Sequence, residues 1–124
     1  MCNDISILVV DDDPDMLWVL NKILTLTGYR VTTALNGADA LACLQEQSFA
    51  LALIDMKLPM MDGLQLAGAL KVVAPTIVII LISGYYYAED PEIEKKLDQN
   101  FCAGFIAKPF DVEDVRSTIR RILR

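Results

Sequence analysis

The sequence contains no histidine. That absence excludes a Ser–His or Cys–His nucleophile, and it excludes a phosphohistidine carried by this chain. Cysteine is sparse: Cys2, Cys43 and Cys102 are odd in number and far apart, so neither a disulfide framework nor a zinc site follows. No long apolar run is present. Hydrophobic residues make up 54% of the 124, yet the longest run, residues 77–82 (IVIILI), falls well short of the roughly 18 that span a membrane. No N-terminal signal fits, because Asp4 precedes a short apolar run that stops at Asp11, Asp12 and Asp13. Positive charge is also scarce. Eleven Lys and Arg against 17 Asp and Glu leave a net charge of -6, which argues against gripping nucleic acid through a broad basic face. The composition predicts a soluble, cytoplasmic protein with no membrane contact.

What is present is an alternation of short apolar runs with helical patterns, in a length that fits one domain over residues 1–124. Residues 5–10 (ISILVV) and 51–54 (LALI) are too short for helices and suit strands buried on both faces. Residues 29–35 and 76–82 supply two more strands, and 101–107 supplies the last, around Phe105 and Ile106. Asp13 and Pro14 predict a helix start, and residues 15–27 carry Met16, Leu17, Val19, Leu20, Ile23, Leu24 and Leu26 at helical spacing before Gly28. Asn36-Gly37 reads as a turn pair, followed by a helix over 38–47 with Leu41 and Leu44 inward. Residues 62–73 form a third helix with Leu64, Leu66, Ala67 and Leu70 available for packing, ended by Pro75. A polar-aromatic loop over 85–90 precedes a charged helix over 91–99, with Ile93 and Leu97 inward. Asp111 caps a final helix over 112–123, with Val115, Ile119, Ile122 and Leu123 on one face.

Five strands alternating with five helices predict an α/β fold: a doubly wound, five-stranded parallel sheet of flavodoxin-like (βα)5 type in the order 2-1-3-4-5. All strand C-termini then lie along one edge. That edge gathers Asp11 and Asp12 after strand 1, Asp55 after strand 3, Ser83 after strand 4 and Lys108 after strand 5. Three carboxylates together invite a cation, and hard oxygen ligands suit Mg2+. A cation over Asp55 makes phosphoryl transfer to it plausible, with Lys108 as a point charge and Ser83 as a hydrogen-bond donor to the phosphoryl oxygens. Each residue has a plainer explanation: an acidic run at a helix N-terminus (preferred for Asp13), a surface lysine before a turn, a serine ending a strand. Independent accidents do not place all of them at one sheet edge.

The segments ILVVDDDPDM, LALIDMKLPMMDGL, IILISG and GFIAKPF resemble the receiver domain of two-component response regulators, over essentially the whole chain. The resemblance implies that Asp55 is the phosphoacceptor, that Asp12, Asp55 and the Lys57 backbone carbonyl bind Mg2+ directly, and that Asp11 acts mainly through metal-bound water. It further implies that the Ser83 hydroxyl turns toward the phosphoryl group, that Lys108 pairs with it, and that Phe105 is the aromatic whose inward swing accompanies activation. Plain core packing competes for Phe105. The implied partner is a sensor histidine kinase or phosphotransfer protein. The implied output surface is formed by the fourth helix, fifth strand and fifth helix, and a homodimer through that face is left open, with Arg116, Arg120, Arg121 and Arg124 on the last helix. The role is a regulatory switch, catalysing only its own phosphorylation and dephosphorylation.

The loop after Ser83 departs from the family pattern. Tyr85, Tyr86 and Tyr87 make it longer, and an apolar patch for a partner is favoured there over a cover for the site. Lys57 and Tyr85 are expected to flank the phosphoryl group and set the access of water. Two rivals remain. One is a degenerate receiver that binds partners without phosphorylation, against which the intact Asp12, Asp55, Ser83 and Lys108 set argues. The other is a haloacid-dehalogenase-type phosphatase using Asp11-x-Asp13, for which the chain has no cap domain.

Overall fold

The computed structural model describes residues 5–84, 91, 95 and 102–123. The expectations for the loop with Tyr85, Tyr86 and Tyr87, for all but Pro91 and Lys95 of the helix over 91–99, and for Phe101 and Arg124 lie outside the described residues. Within them the chain order is β1 (Ser6–Val10), α1 (Pro14–Thr27), β2 (Arg30–Ala34), α2 (Gly37–Glu46), β3 (Leu51–Asp55), α3 (Gly63–Val73), β4 (Val78–Ser83), β5 (Gly104–Ala107) and α4 (Val112–Leu123). The five strands form one sheet in the order β2-β1-β3-β4-β5, and every pairing is parallel. This is the doubly wound flavodoxin-like arrangement that the sequence predicts.

Side-chain alternation along the strands builds two cores. Leu8, Val10, Ala52, Ile54, Ile79 and Leu81 face one side and pack with Ala40, Leu66, Ala67 and Leu70 of α2 and α3. Ile7, Val9, Leu51, Leu53, Ile80, Ile82 and Ile106 face the other and pack with Leu17, Leu20, Ile23 and Leu24 of α1 and Val115 and Ile119 of α4. The three central strands are covered on both faces, which is why they read as unbroken apolar runs rather than alternating ones. On β3 every residue is buried, Asp55 included.

The ends of the elements differ from the sequence reading by a residue or two, each for a local reason. Ile77 N–H donates to Ala74 O at 3.0 Å in a turn, so β4 begins at Val78 rather than Thr76. Tyr29 N–H donates to Leu24 O at 3.1 Å, closing the α1 terminus behind left-handed Gly28 (φ 113), so β2 begins at Arg30. Asn36-Gly37 is not a free turn: the Asn36 side chain accepts from Asp39 N–H at 2.8 Å and caps α2, whose first residue is Gly37. β5 is shorter than expected, starting at Gly104 where it comes into register with Ile80. Of the apolar residues of α1, Leu26 is 78% exposed and Val19 39%. They lie on the outer side of the helix with Trp18.

Candidate functional site

The carboxyl edge of the sheet is organised by backbone first. Asp11 follows the last residue of β1, and its N–H donates to Ala34 O of β2 at 3.2 Å. Its side chain turns back under the start of α1, where Oδ1 accepts Asp13 N–H at 2.9 Å. Asp13 in turn accepts Asp15 N–H at 3.0 Å and caps α1, the role preferred for it on sequence grounds. Asp55 is the last residue of β3 and pairs with Ile82 of β4. The next residue, Met56, donates its N–H to Ile82 O at 2.8 Å and accepts Gly63 N–H at 2.8 Å. Asp55 Oδ1 faces Lys57 N–H at 3.4 Å, and Lys57 bridges across the loop to Asp62.

These elements bring Asp11, Asp12 and Asp55 together: one carboxylate oxygen from each lies within 4.8 Å of the other two. Lys108 reaches in from the end of β5, with Nζ 3.6 Å from Asp11 Oδ2 and 3.5 Å from Asp55 Oδ2. Ser83 is the last residue of β4, and its carbonyl accepts Lys108 N–H at 2.7 Å, which ties the serine and lysine ends to each other. Asp11 and Ser83 are buried at 1% exposure, whereas the neighbouring Asp12 is exposed. Phe105 is half-buried against the core shared with α2 and α3. The Lys57 side chain is exposed.

Burial raises both interior carboxyls. It pushes Asp11 up to about 6 from 3.8, against the Asp13 N–H bond and with the Asp55 charge adding to the rise. Burial likewise raises Asp55, with Lys108 opposing. One partly exposed lysine, 3.5–3.6 Å from two of the carboxylates, does not compensate three acids. Two buried atoms show the deficit: Asp11 Oδ2 and Ser83 Oγ have no hydrogen-bond partner among the described residues. A compact set of oxygen donors with unspent acceptor capacity fits a hard divalent cation such as Mg2+. It does not suit soft, thiolate-loving metals.

Sequence reasoning singled out Asp11, Asp12, Asp55, Ser83 and Lys108, and the structure brings all five to one crevice. Gly63 entered only within the motif LALIDMKLPMMDGL that carries the resemblance, with no role of its own. An added Cβ there would stand 2.8 Å from Asp55 O and 2.9 Å from Met56 Cα. The Asp62-Gly63 pair was the available signal.

A parallel 2-1-3-4-5 sheet with paired acids after β1, an acid ending β3 and a lysine after β5 defines a small class of signalling domains. The profile of the response regulator receiver domain matches residues 7–120, and the chain belongs to that family. It is 37% identical over 118 residues to the response regulator receiver protein CpdR of Brucella abortus, covering 94% of this chain and 95% of that one. It is 32% identical over 118 residues to sporulation initiation phosphotransferase F of Bacillus subtilis, covering 95% and 93%. The transcriptional regulatory protein ZraR of Escherichia coli is 31% identical, but the match spans only 27% of its length. Among solved structures, a CheY-like receiver domain protein of Methanospirillum hungatei superposes with TM-score 0.87 at 30% identity, over 98% of this chain and 94% of that one. The response regulator TrrA of Thermotoga maritima, in complex with Mg2+ and BeF, superposes with TM-score 0.82 at 26% identity, over 95% and 98%. Among the described residues, no helix is long and apolar enough to cross a membrane.

Proposed function

We propose that residues 1–124 act as one phosphoacceptor unit in which Asp55 receives a phosphoryl group from a partner histidine kinase or phosphotransfer protein. The observation that carries this reading is the convergence of three carboxylates within 4.8 Å on a strand-end aspartate that also faces Lys108 at 3.5 Å. Asp11, Asp12, Asp55 and the Lys57 carbonyl would hold Mg2+, with Asp11 acting mainly through water on the metal. The bound ion would supply charge neutralisation between the acids and an incoming phosphoryl group. The TrrA complex with Mg2+ and BeF supports this by likeness.

The chain's own residues do the rest. An Asp55 carboxylate oxygen attacks phosphorus, forming an O–P bond as the donor's N–P bond breaks and its electron pair returns to the donor imidazole. That imidazole lies outside these 124 residues, which contain no histidine. Lys108 Nζ meets the negative charge on the phosphoryl oxygens, and the buried Ser83 hydroxyl, which has no hydrogen-bond partner among the described residues, donates to one of them. Hydrolysis reverses the modification: water attacks phosphorus, the O–P bond to Asp55 breaks, and the carboxylate is regenerated. Lys57, two residues beyond Asp55, would limit the approach of that water.

Because Ser83 and Lys108 share a backbone hydrogen bond at 2.7 Å, engaging one moves the other. This biases β4, β5 and α4 between two arrangements, with Phe105 as the aromatic that follows. The face around β5 and α4 is then the output surface, and a second copy could bind there. The switch has no external substrate, lies in the cytoplasm and does not itself contact nucleic acid.

The test is intact mass after incubation with Mg2+ and acetyl phosphate, beside Asp55→Asn. One labile phosphoryl adduct, absent without Mg2+ and in the variant, is expected. No adduct in the wild-type chain with either acetyl phosphate or a phosphorylated kinase would identify a degenerate receiver.

A further inference from the structure

Gly37, Gly63 and Gly104 stand where a side chain would meet close neighbours, and they are not equivalent. At Gly104 an added Cβ would meet Ile122 Cδ1 at 2.6 Å, and at Gly37 it would meet Met61 Sδ at 2.9 Å. Both are far ends of flexible side chains, which can swing aside. At Gly63 the neighbours are Asp55 O at 2.8 Å, Met56 Cα at 2.9 Å and Asp55 C at 3.2 Å. All three are backbone and have nowhere to go.

That backbone is fastened from both sides. Met56 N–H donates to Ile82 O at 2.8 Å, one residue before Ser83, while Met56 O accepts Gly63 N–H at 2.8 Å. One residue further on, Lys57 bridges to Asp62. Asp62 is in turn fixed by a reciprocal cap on α3: Gln65 N–H donates to Asp62 Oδ1 at 2.8 Å, and Asp62 N–H to Gln65 Oε1 at 3.0 Å. A rigid helix start therefore closes directly on the segment that carries the Asp55 carboxylate and the Lys57 carbonyl.

Resting on the function proposed above, we infer that Gly63 is a positioning residue for the metal site. Its missing Cβ lets α3 clamp residues 55–57 so that the Asp55 carboxylate and the Lys57 carbonyl face the Asp11 and Asp12 oxygens together. A ligand set held by its surroundings binds its ion more tightly than one that must be ordered at binding.

The experiment is a calorimetric Mg2+ titration of the metal-free chain, with no phosphodonor, for wild type, Gly63→Ala and Gly104→Ala. Gly63→Ala is expected to weaken Mg2+ binding by about tenfold or more, while Gly104→Ala, whose added Cβ meets the end of the Ile122 side chain, keeps the wild-type affinity. A folded Gly63→Ala chain with wild-type affinity overturns the inference. An equal loss in Gly104→Ala also overturns it, because general destabilisation would then explain the effect. Should Gly63→Ala not fold, amide exchange on the metal-free wild-type chain decides: the Met56 and Gly63 amides are expected to be protected like those of the central strands before Mg2+ is added, and free exchange there overturns the inference. A wild-type chain that binds no Mg2+ overturns the proposed function itself, and this inference with it.

Discussion

The two halves of the crevice are built differently. On the β1–β3 side two of the three acids are oriented by backbone: Asp13 N–H holds Asp11 at 2.9 Å, Lys57 N–H faces Asp55 at 3.4 Å, and capped helices follow both. On the β4–β5 side the side chains are held loosely. Ser83 Oγ has no hydrogen-bond partner among the described residues, and Lys108 Nζ stands 3.5–3.6 Å from two carboxylates without a close bond to either. On the proposed function, the half that presents the metal ligands is fastened in advance. On the same proposal, the half that answers the phosphoryl group keeps its donors unspent, and their relaxation toward that group is what the β4–β5 side would transmit.

Lys108→Ala should separate the halves most sharply. It removes the cation nearest Asp55 from the responding side and leaves the acids in place. Phosphorylation by acetyl phosphate at saturating Mg2+ should slow roughly a hundredfold, the scale for losing one charged stabiliser of a developing anion. Mg2+ binding should tighten, because a competing positive charge has gone. Weaker Mg2+ binding, read by the same calorimetry, would mean that Lys108 serves to hold the acid half together.

Asp11→Asn probes the fixed side, and its sign follows from the raised carboxyl. The folded chain holds the Asp11 proton more tightly than the unfolded chain does. The contribution of this group to metal-free stability therefore falls as pH rises from 3.8 to about 6, and it is least above that range. The raised Asp55 carboxyl acts in the same direction. Replacing Asp11 with the neutral amide should raise metal-free stability at pH 7 by about 2 kcal/mol and flatten the pH dependence seen by thermal melting. The gain should vanish at saturating Mg2+, where the wild-type acid is compensated. A variant less stable than wild type at pH 7 without metal would contradict the claim that the site is short of positive charge.

The smallest effect is expected at Ser83→Ala. Its buried hydroxyl has no hydrogen-bond partner among the described residues, so removing it should change stability by less than about 1 kcal/mol and leave Mg2+ affinity intact. The variant should still form the adduct, while nuclear magnetic resonance shifts in β5 and α4 on phosphorylation should shrink. Full-size shifts would break the link between the serine and the responding half.

Much of this was legible in the chain itself. Central strands covered on both faces leave unbroken apolar runs, so β1, β3 and β4 announce themselves, and parallel order then brings Asp11, Asp55, Ser83 and Lys108 to one edge. The outer side of α1 was not legible. Trp18, Val19 and Leu26 satisfy a helical apolar pattern yet face outward, because periodicity does not reveal how wide the covering layer is. The contrast between buried Asp11 and exposed Asp12 was hidden too, since adjacent carboxylates look alike until one turns under a helix start. Gly63 carries no functional group, and its close approach to Asp55 exists only in three dimensions.

The most direct measurement is to locate the adduct. The acetyl phosphate-treated chain would be reduced with borohydride, which converts an aspartyl phosphate to homoserine, and mapped by peptide mass spectrometry. The account predicts conversion at residue 55 alone. Conversion at Asp11 or Asp12, or a borohydride-resistant phosphate on Ser83, would contradict it.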